Sequence, residues 1–169
     1  STSDLIGTRI STPNGIGNSD YNITARLLDK DGINPLEDVE LMQVETSACL
    51  PAMESGEIAA ALLSDTYAYN LVKEGKLRVV RSLLDEDFQT ESCCVIAMNR
   101  SFVEENPITA QKISDCVKKA HDWMRENPEE ATQLLIDEGL NSDDFDMNVE
   151  LNQSLQFGPT NAFTGAALE

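Results

Sequence analysis

The sequence predicts an α/β protein: a mostly parallel sheet of about five strands with flanking helices, followed by a helical C-terminal segment. Two observations predict this class. Short apolar strands alternate with helices up to about residue 92, and each early strand ends in a polar loop that opens a helix. Beyond Asn99, apolar residues recur at the helical period. In such sheets, ligands bind beyond the carboxyl ends of the strands, so this class favours a site for a small polar or anionic molecule.

The first part of the chain alternates strand and helix after a leading segment, Ser1–Leu5, for which no regular structure is predicted. Strands are predicted at Thr8–Thr12, Val39–Val44, Ala59–Leu63, Leu77–Leu83 and Cys93–Met98. Helices are predicted at about Ser19–Lys30, Ser47–Ser55 and Thr66–Glu74, and each is followed by a glycine that ends it. Pro51 is expected in the first turn of the second helix, where backbone N–H groups lack internal partners.

The second part is helical. Helices are predicted at Ile108–Asn127, Pro128–Glu138 and from a cap at Asn141 or Ser142 to about Leu155, before the weakly patterned Phe157–Glu169. Asn-Pro pairs mark both ends of the long helix. We therefore divide the chain into an α/β ligand-binding lobe, residues 1–92, and a crossover strand with helices, residues 93–169.

Charge and composition argue against several classes of protein. The chain has 30 acidic and 12 basic residues and a formal charge of −18, which repels phosphate backbones and anionic membranes. No nucleic-acid partner is therefore predicted. The four cysteines match neither a zinc motif nor a disulfide framework, and reduced thiols are expected.

The candidate ligand-binding residues follow the first three strands. They are Asn14, Gly15, Ile16, Gly17, Asn18, Ser19 and Tyr21 after the first strand, Thr46 and Ser47 after the second, and Ser64, Asp65 and Tyr67 after the third. Glycines let backbone amides approach a ligand, and the polar side chains can donate to it. The alternatives are ordinary helix capping for the polar residues and packing for the tyrosines. An aspartate at the third helix disfavours an anion and favours an amine or hydroxyl donor.

No catalytic residue, metal site or cofactor is predicted. His121 has no serine, cysteine or aspartate in a triad pattern around it. Cys93 and Cys94 are expected to point to opposite faces of a strand; the alternative is a soft-metal site or a strained disulfide between them.

Three motifs carry a family resemblance. They are Asp4–Gly7 (DLIG) before the first strand, Ala52–Ala60 (AMESGEIAA) and Phe102–Pro107 (FVEENP). Their order and spacing resemble those of the nitrate/sulfonate/taurine type of substrate-binding protein of ABC importers. The resemblance implies a type 2 periplasmic-binding-protein fold with the ligand between two lobes. It also implies that this chain is partial, lacking the N-terminal lobe segment, with residues from Gly7 to about Glu91 forming the second lobe.

The resemblance further implies a non-enzymatic solute-binding role with an ABC permease as partner of the full-length protein. The location would be extracytoplasmic, periplasmic or lipoprotein-anchored, with the signal sequence outside this chain, and ligand affinity would be weak. Helices from Ile108 onward would lack their partner lobe, so self-association or docking on the sheet is expected. The alternatives are an enzyme resembling fungal thiamine-pyrimidine synthase, using Cys93 and Cys94, and the effector-binding domain of a transcription regulator.

Overall fold

The computed structural model describes residues 1–88, 95–142 and 144–154, without the side chain of Asp65. The predictions for Cys93, Cys94, Leu155 and Phe157–Glu169 lie outside these residues. The chain divides into two compact units, Ser1–Ser82 and Leu83–Glu169. The division predicted after residue 92 stays a prediction. None of the helices among the described residues is long and apolar enough to cross a membrane.

The first unit is built on a parallel sheet. Its strands are β1 (Arg9–Ser11), β2 (Glu40–Met42) and β3 (Ala60–Ala61), in the spatial order β2-β1-β3. Both neighbours of β1 run parallel to it, with Ile10 opposite Leu41 and Ala60. The predicted α/β class with a parallel sheet is confirmed, with three strands in the described part of the chain.

Three helices follow these strands: α1 (Ser19–Lys30), α2 (Thr46–Glu54) and α3 (Asp65–Lys73). Ile10 of β1 packs in one core cluster with Leu28 of α1 and Ile33. The next residue, Ser11, contacts buried Cys49 of α2 through a 3.6 Å Sγ–Oγ hydrogen bond. Because successive side chains of a strand point to opposite faces, α1 and α2 cover opposite faces of the sheet.

Three local predictions are corrected in this unit. The leading segment forms a short 3₁₀ helix, Thr2–Leu5, in which the Ser1 amino terminus pairs with Asp4. Pro51 is the sixth residue of α2 rather than part of its first turn, so the Ser47 carbonyl lacks the usual amide donor four residues later.

The predicted fourth strand, Leu77–Leu83, is irregular. Leu77 N–H donates to Leu71 O of α3 at 3.1 Å, and Arg81 Nε pairs with Asp31 Oδ2 at the end of α1, 3.4 Å away. These contacts tie the segment to helix ends, while β3, only two residues long, offers little ladder for pairing.

The second unit is helical: α4 (Arg100–Glu105), α5 (Pro107–Glu126), α6 (Pro128–Asp137) and α7 (Phe145–Ser154). The helix α4 is an addition to the prediction, capped by Asn99 Oδ1, which accepts from Ser101 N–H at 2.9 Å. The start of α7 also differs, because Asp144 Oδ1 accepts from Met147 N–H at 3.1 Å in place of Asn141 or Ser142. Val95–Met98 forms no strand; the rest of the predicted fifth strand lies outside the described residues.

Candidate functional site

The three strands of the first unit end side by side. Ser11, the last residue of β1, is in register with Met42 and Ala61, the last residues of its neighbours. Just beyond them, Thr12 N–H donates to Met42 O at 2.8 Å, and Leu62 N–H donates to Ser11 O at 3.0 Å. The segments that carry all the predicted site residues therefore start from one edge of the sheet, which we call the C-edge.

The loop 13–18 turns tightly at the C-edge. Asn14 N–H donates to Asp20 Oδ2 at 2.6 Å, and Asn18 Nδ2 donates to Asn14 O at 2.6 Å. Gly15 and Gly17 have φ of +80° and +88°, which only glycine adopts without strain. Of the predicted site residues here, Gly15 is buried and Tyr21 half-buried, and the exposed ones are Asn14, Ile16, Gly17, Asn18 and Ser19.

Gln43 holds this loop and was missed from the sequence. Its Nε2 donates to Pro13 O at 3.1 Å. A Cβ built on Gly15 would stand 3.0 Å from Gln43 Oε1, so the side chain fills the space that a larger residue would need. The only signal in the sequence is a polar residue near the end of the predicted strand Val39–Val44.

Ser11 fixes the turn before α2 and was also missed. Its Oγ donates to Val44 O at 3.0 Å and accepts from Val44 N–H at 3.2 Å. Ser11 and Cys49 are both fully buried. Burial raises the pKa of the Cys49 thiol, against a smaller lowering by the Ser11 hydroxyl, and the nearby Glu45 carboxylate raises it further. Cys49 is therefore a packed, neutral thiol at neutral pH.

The first turns of α1, α2 and α3 open at the C-edge without side-chain caps. Asn18, Glu45 and Ser64 occupy the three N-cap positions, and none of their side chains accepts from its own helix in the described structure. Half-buried Thr46 and exposed Ser47 are the first and second residues of α2, so capping of this helix by either residue, the alternative weighed from sequence, is wrong. Exposed Ser64 and half-buried Tyr67 lie at the start of α3.

Acidic residues accompany these helix starts. Asp20 is in the first turn of α1, Glu45 precedes α2, and Asp65 is the first residue of α3. Asp20 is buried at 5% exposure, and its Oδ1 has no hydrogen-bond partner among the described residues. A carboxylate near a helix N-terminus offsets the partial positive charge there. The C-edge thus combines amide donors with negative charge.

Within the described residues, no group of three or more histidine, cysteine, aspartate or glutamate side chains could hold a metal ion. A cavity of about 300 Å³ lies in the second unit, lined by Trp123 of α5 and by residues of α6. None of its lining residues belongs to the first unit, which carries the C-edge.

Comparison with known proteins gives a family and a fold. Residues 1–131 match the protein-family model described as NMT1/THI5 like. No curated protein matches the sequence. Among solved structures, the alkanesulfonate-binding protein SsuA from Xanthomonas axonopodis pv. citri, bound to MOPS, is similar, with a TM-score of 0.72 and 17% identity. The alignment covers 99% of this chain and 56% of that one, so the chain spans little more than half the length of that protein.

Proposed function

Because the chain belongs to the NMT1/THI5-like family, we propose that it is part of the solute-binding component of an ABC importer. The observation that carries the proposal is the C-edge, where three loops and three uncapped helix starts meet beside parallel strands. The shared fold with a sulfonate-binding protein supports it. The component captures a small polar or anionic molecule and delivers it to a permease.

The proposed ligand contacts are the predicted residues of the C-edge. Backbone amides of Ile16 and Gly17 in the loop 13–18, and those of the first turns of α2 and α3, donate to acceptor atoms of the ligand. The exposed side chains of Asn14, Ser47 and Ser64 add polar contacts, and half-buried Tyr21 and Tyr67 offer ring faces and hydroxyls. Gly15 keeps the loop backbone in the turn that presents these amides.

The acidic residues at the helix starts narrow the ligand class. A simple anion would meet the carboxylates of Asp20 and Glu45 as well as the amide donors. A ligand that joins an acceptor group to an amine or hydroxyl donor satisfies both kinds of partner. We therefore favour an amino or hydroxy sulfonate, or a comparable zwitterion, over nitrate or an unsubstituted sulfonate.

Isothermal calorimetry with a matched pair of ligands tests this choice. Aminoethanesulfonate and ethanesulfonate differ only in the amine, and we expect the first to bind about tenfold tighter or more, as for a hydrogen bond to a charged group. Asn14→Ala and Ser64→Ala should weaken binding, whereas Gln111→Ala, on exposed α5, should not. Equal affinity for the two sulfonates contradicts the ligand class, and binding that neither site variant weakens contradicts the site.

We also propose that the ligand is bound without chemical change, outside the cytoplasm. Mass spectrometry of ligand recovered after long incubation should show it intact, with the same result for the Cys93→Ser/Cys94→Ser variant. Consumption of the ligand by the natural chain but not by this variant would support an enzyme instead. Fractionation of the native cells should place the protein outside the cytoplasm, and recovery only with cytosolic markers contradicts that location.

A further inference from the structure

We propose a second site, for an aliphatic diammonium ion, in the cavity of the second unit. The cavity has a volume of about 300 Å³ and is lined by Trp123, Glu130, Gln133, Leu134 and Asp137. We call it the α5–α6 groove. It lies wholly within the second unit and does not rest on the function proposed for the C-edge.

The middle of the α5–α6 groove is apolar. Trp123, near the end of α5, is half-buried, and Leu134 of α6 is 52% exposed. An aliphatic chain lying across Leu134 and the indole would remove this apolar surface from water. The indole face also attracts a cation held over it.

The two ends of the groove are negative. Glu130 and Asp137 lie on one face of α6, seven residues apart, which is about 10 Å along the helix axis. Gln133 Nε2 donates to Asp137 Oδ1 at 2.7 Å, which orients that carboxylate. In the described part of the chain, no lysine or arginine pairs with Glu130 or Asp137, and no basic residue lines the groove.

A charge at each end and an apolar middle define the complementary ligand. It carries two ammonium groups about 10 Å apart, joined by methylene groups. A monoamine satisfies one end only, and an anion is repelled. Metal ions fit less well, because a cation bound at 2.0–2.6 Å cannot bridge carboxylates at that spacing.

Fluorescence gives a direct assay, since Trp123 is the only tryptophan of the chain. We expect titration of the 169-residue chain with linear diamines at low salt to change its emission saturably. The dissociation constant should be on the order of 1 mM and smallest for the diamine with ammonium groups about 10 Å apart. A monoamine of equal length should bind about two- to fivefold more weakly.

Charge variants separate the groove from general attraction to an acidic protein. Glu130→Gln and Asp137→Asn should each weaken diamine binding about two- to fivefold. Glu129→Gln removes the same charge from the neighbouring position, which lies outside the lining. This variant should therefore bind the diamine as tightly as the natural chain does. Equal loss in all three variants, no preference for diamines over monoamines, or no saturable change overturns the proposal. Sulfonate binding at the C-edge is measured in a separate experiment. The diamine proposal and the sulfonate proposal can therefore fail independently of each other.

Discussion

At the scale of single residues, the C-edge depends on contacts that the sequence pattern does not mark. Gly15 is visible as a loop glycine, but its partner Gln43 is 28 positions away and only the fold brings them together. Ser11 reads as an ordinary strand residue, yet its hydroxyl bonds both the N–H and the carbonyl oxygen of Val44. Residue type and local spacing predict where polar loops occur, but pairings over long sequence distances follow from the register of the sheet.

Replacing Gly15 by alanine should destabilise the fold more than replacing Gly17. Both residues have positive φ, but only at Gly15 does a Cβ meet another side chain, 3.0 Å from Gln43 Oε1. We expect Gly17→Ala to lower the free energy of unfolding by about 1 kcal/mol and Gly15→Ala by more, measured by urea denaturation. If Gln43→Ala does not bring the cost of Gly15→Ala close to that of Gly17→Ala, the contact has been misassigned.

Ser11→Ala should lower the free energy of unfolding by about 1–3 kcal/mol. The substitution leaves the half-buried Val44 N–H without its partner and removes one of two donors to Val44 O, which also accepts from Cys49 Sγ at 3.5 Å. Thermal or urea unfolding measures the change, with Ser47→Ala as a matched control because that serine is exposed on α2. An equal effect of the two substitutions would show that Ser11 does not fix the turn.

Cys49 should make the protein less stable at alkaline pH. Its pKa is raised in the folded state by burial, so the folded chain holds the proton longer than the unfolded chain. The stabilising contribution of the neutral thiol is then present in full below its unfolded pKa of about 8.5, and it falls as pH rises above that value. Urea denaturation at pH values below and above this pKa should show a smaller alkaline loss of stability for Cys49→Ala than for the natural chain. An equal loss in the two proteins contradicts the role given to Cys49.

Exposed Cys116 gives the matched control, as Cys116→Ala should leave the alkaline loss of stability unaltered.

At the scale of elements, helix ends were predicted well wherever a glycine or proline marks them. The sequence places α1 at the observed Ser19–Lys30, and α3 and α6 within one residue at each end. The strand predicted at Leu77–Leu83 was wrong. The residue pattern is typical of a strand, but contacts with α3 and with Asp31 override it. The helix α4 was not predicted, because its six residues are too few to show a helical period.

The boundaries of α5 repeat one geometry. Asn106 and Asn127 each end one helix and precede a proline that starts the next, with φ of −133° at both and ψ of 53° and 59°. The Nδ2 atom of Asn127 donates to Trp123 O at 2.9 Å, whereas that of Asn106 donates to Phe102 O at 3.3 Å. The repeated dipeptide thus encodes two similar bends.

Asn127→Ala should cost more stability than Asn106→Ala. The Asn127 bond is shorter and half-buried, so its loss should lower the free energy of unfolding by about 1 kcal/mol, against a few tenths for the exposed Asn106. Urea denaturation followed by Trp123 fluorescence reports the change beside this bend. The opposite order of the two variants would contradict this reading of the bends.

At the scale of the whole molecule, the family resemblance read from three motifs is confirmed by the NMT1/THI5-like match over residues 1–131, and the α/β class by the fold. The order of the motifs predicted both the family and the fold class, because that order depends on many positions of the chain at once. The ligand is harder to derive, because the chain spans 56% of the similar sulfonate-binding protein and its C-edge places acidic residues beside amide donors.

Copies of the chain are expected to associate with one another. Most residues of α5 are exposed, and Ile108 and Ile113 are 72% and 41% exposed, which leaves apolar surface to bury between copies. Sedimentation velocity over a range of concentrations should show oligomers, reduced in Ile108→Ser/Ile113→Ser. A monomer at every concentration would refute this expectation.

We propose above all that three loops of the C-edge form one binding surface. An amide chemical-shift map of the isotope-labelled chain, titrated with aminoethanesulfonate, tests it most directly. We predict that amides of residues 14–19, 46–47 and 64–67 shift together with one saturation curve, while those of α6 stay unchanged. Shifts confined to a single loop, separate curves for the three segments, or changes only in the second unit would contradict the account.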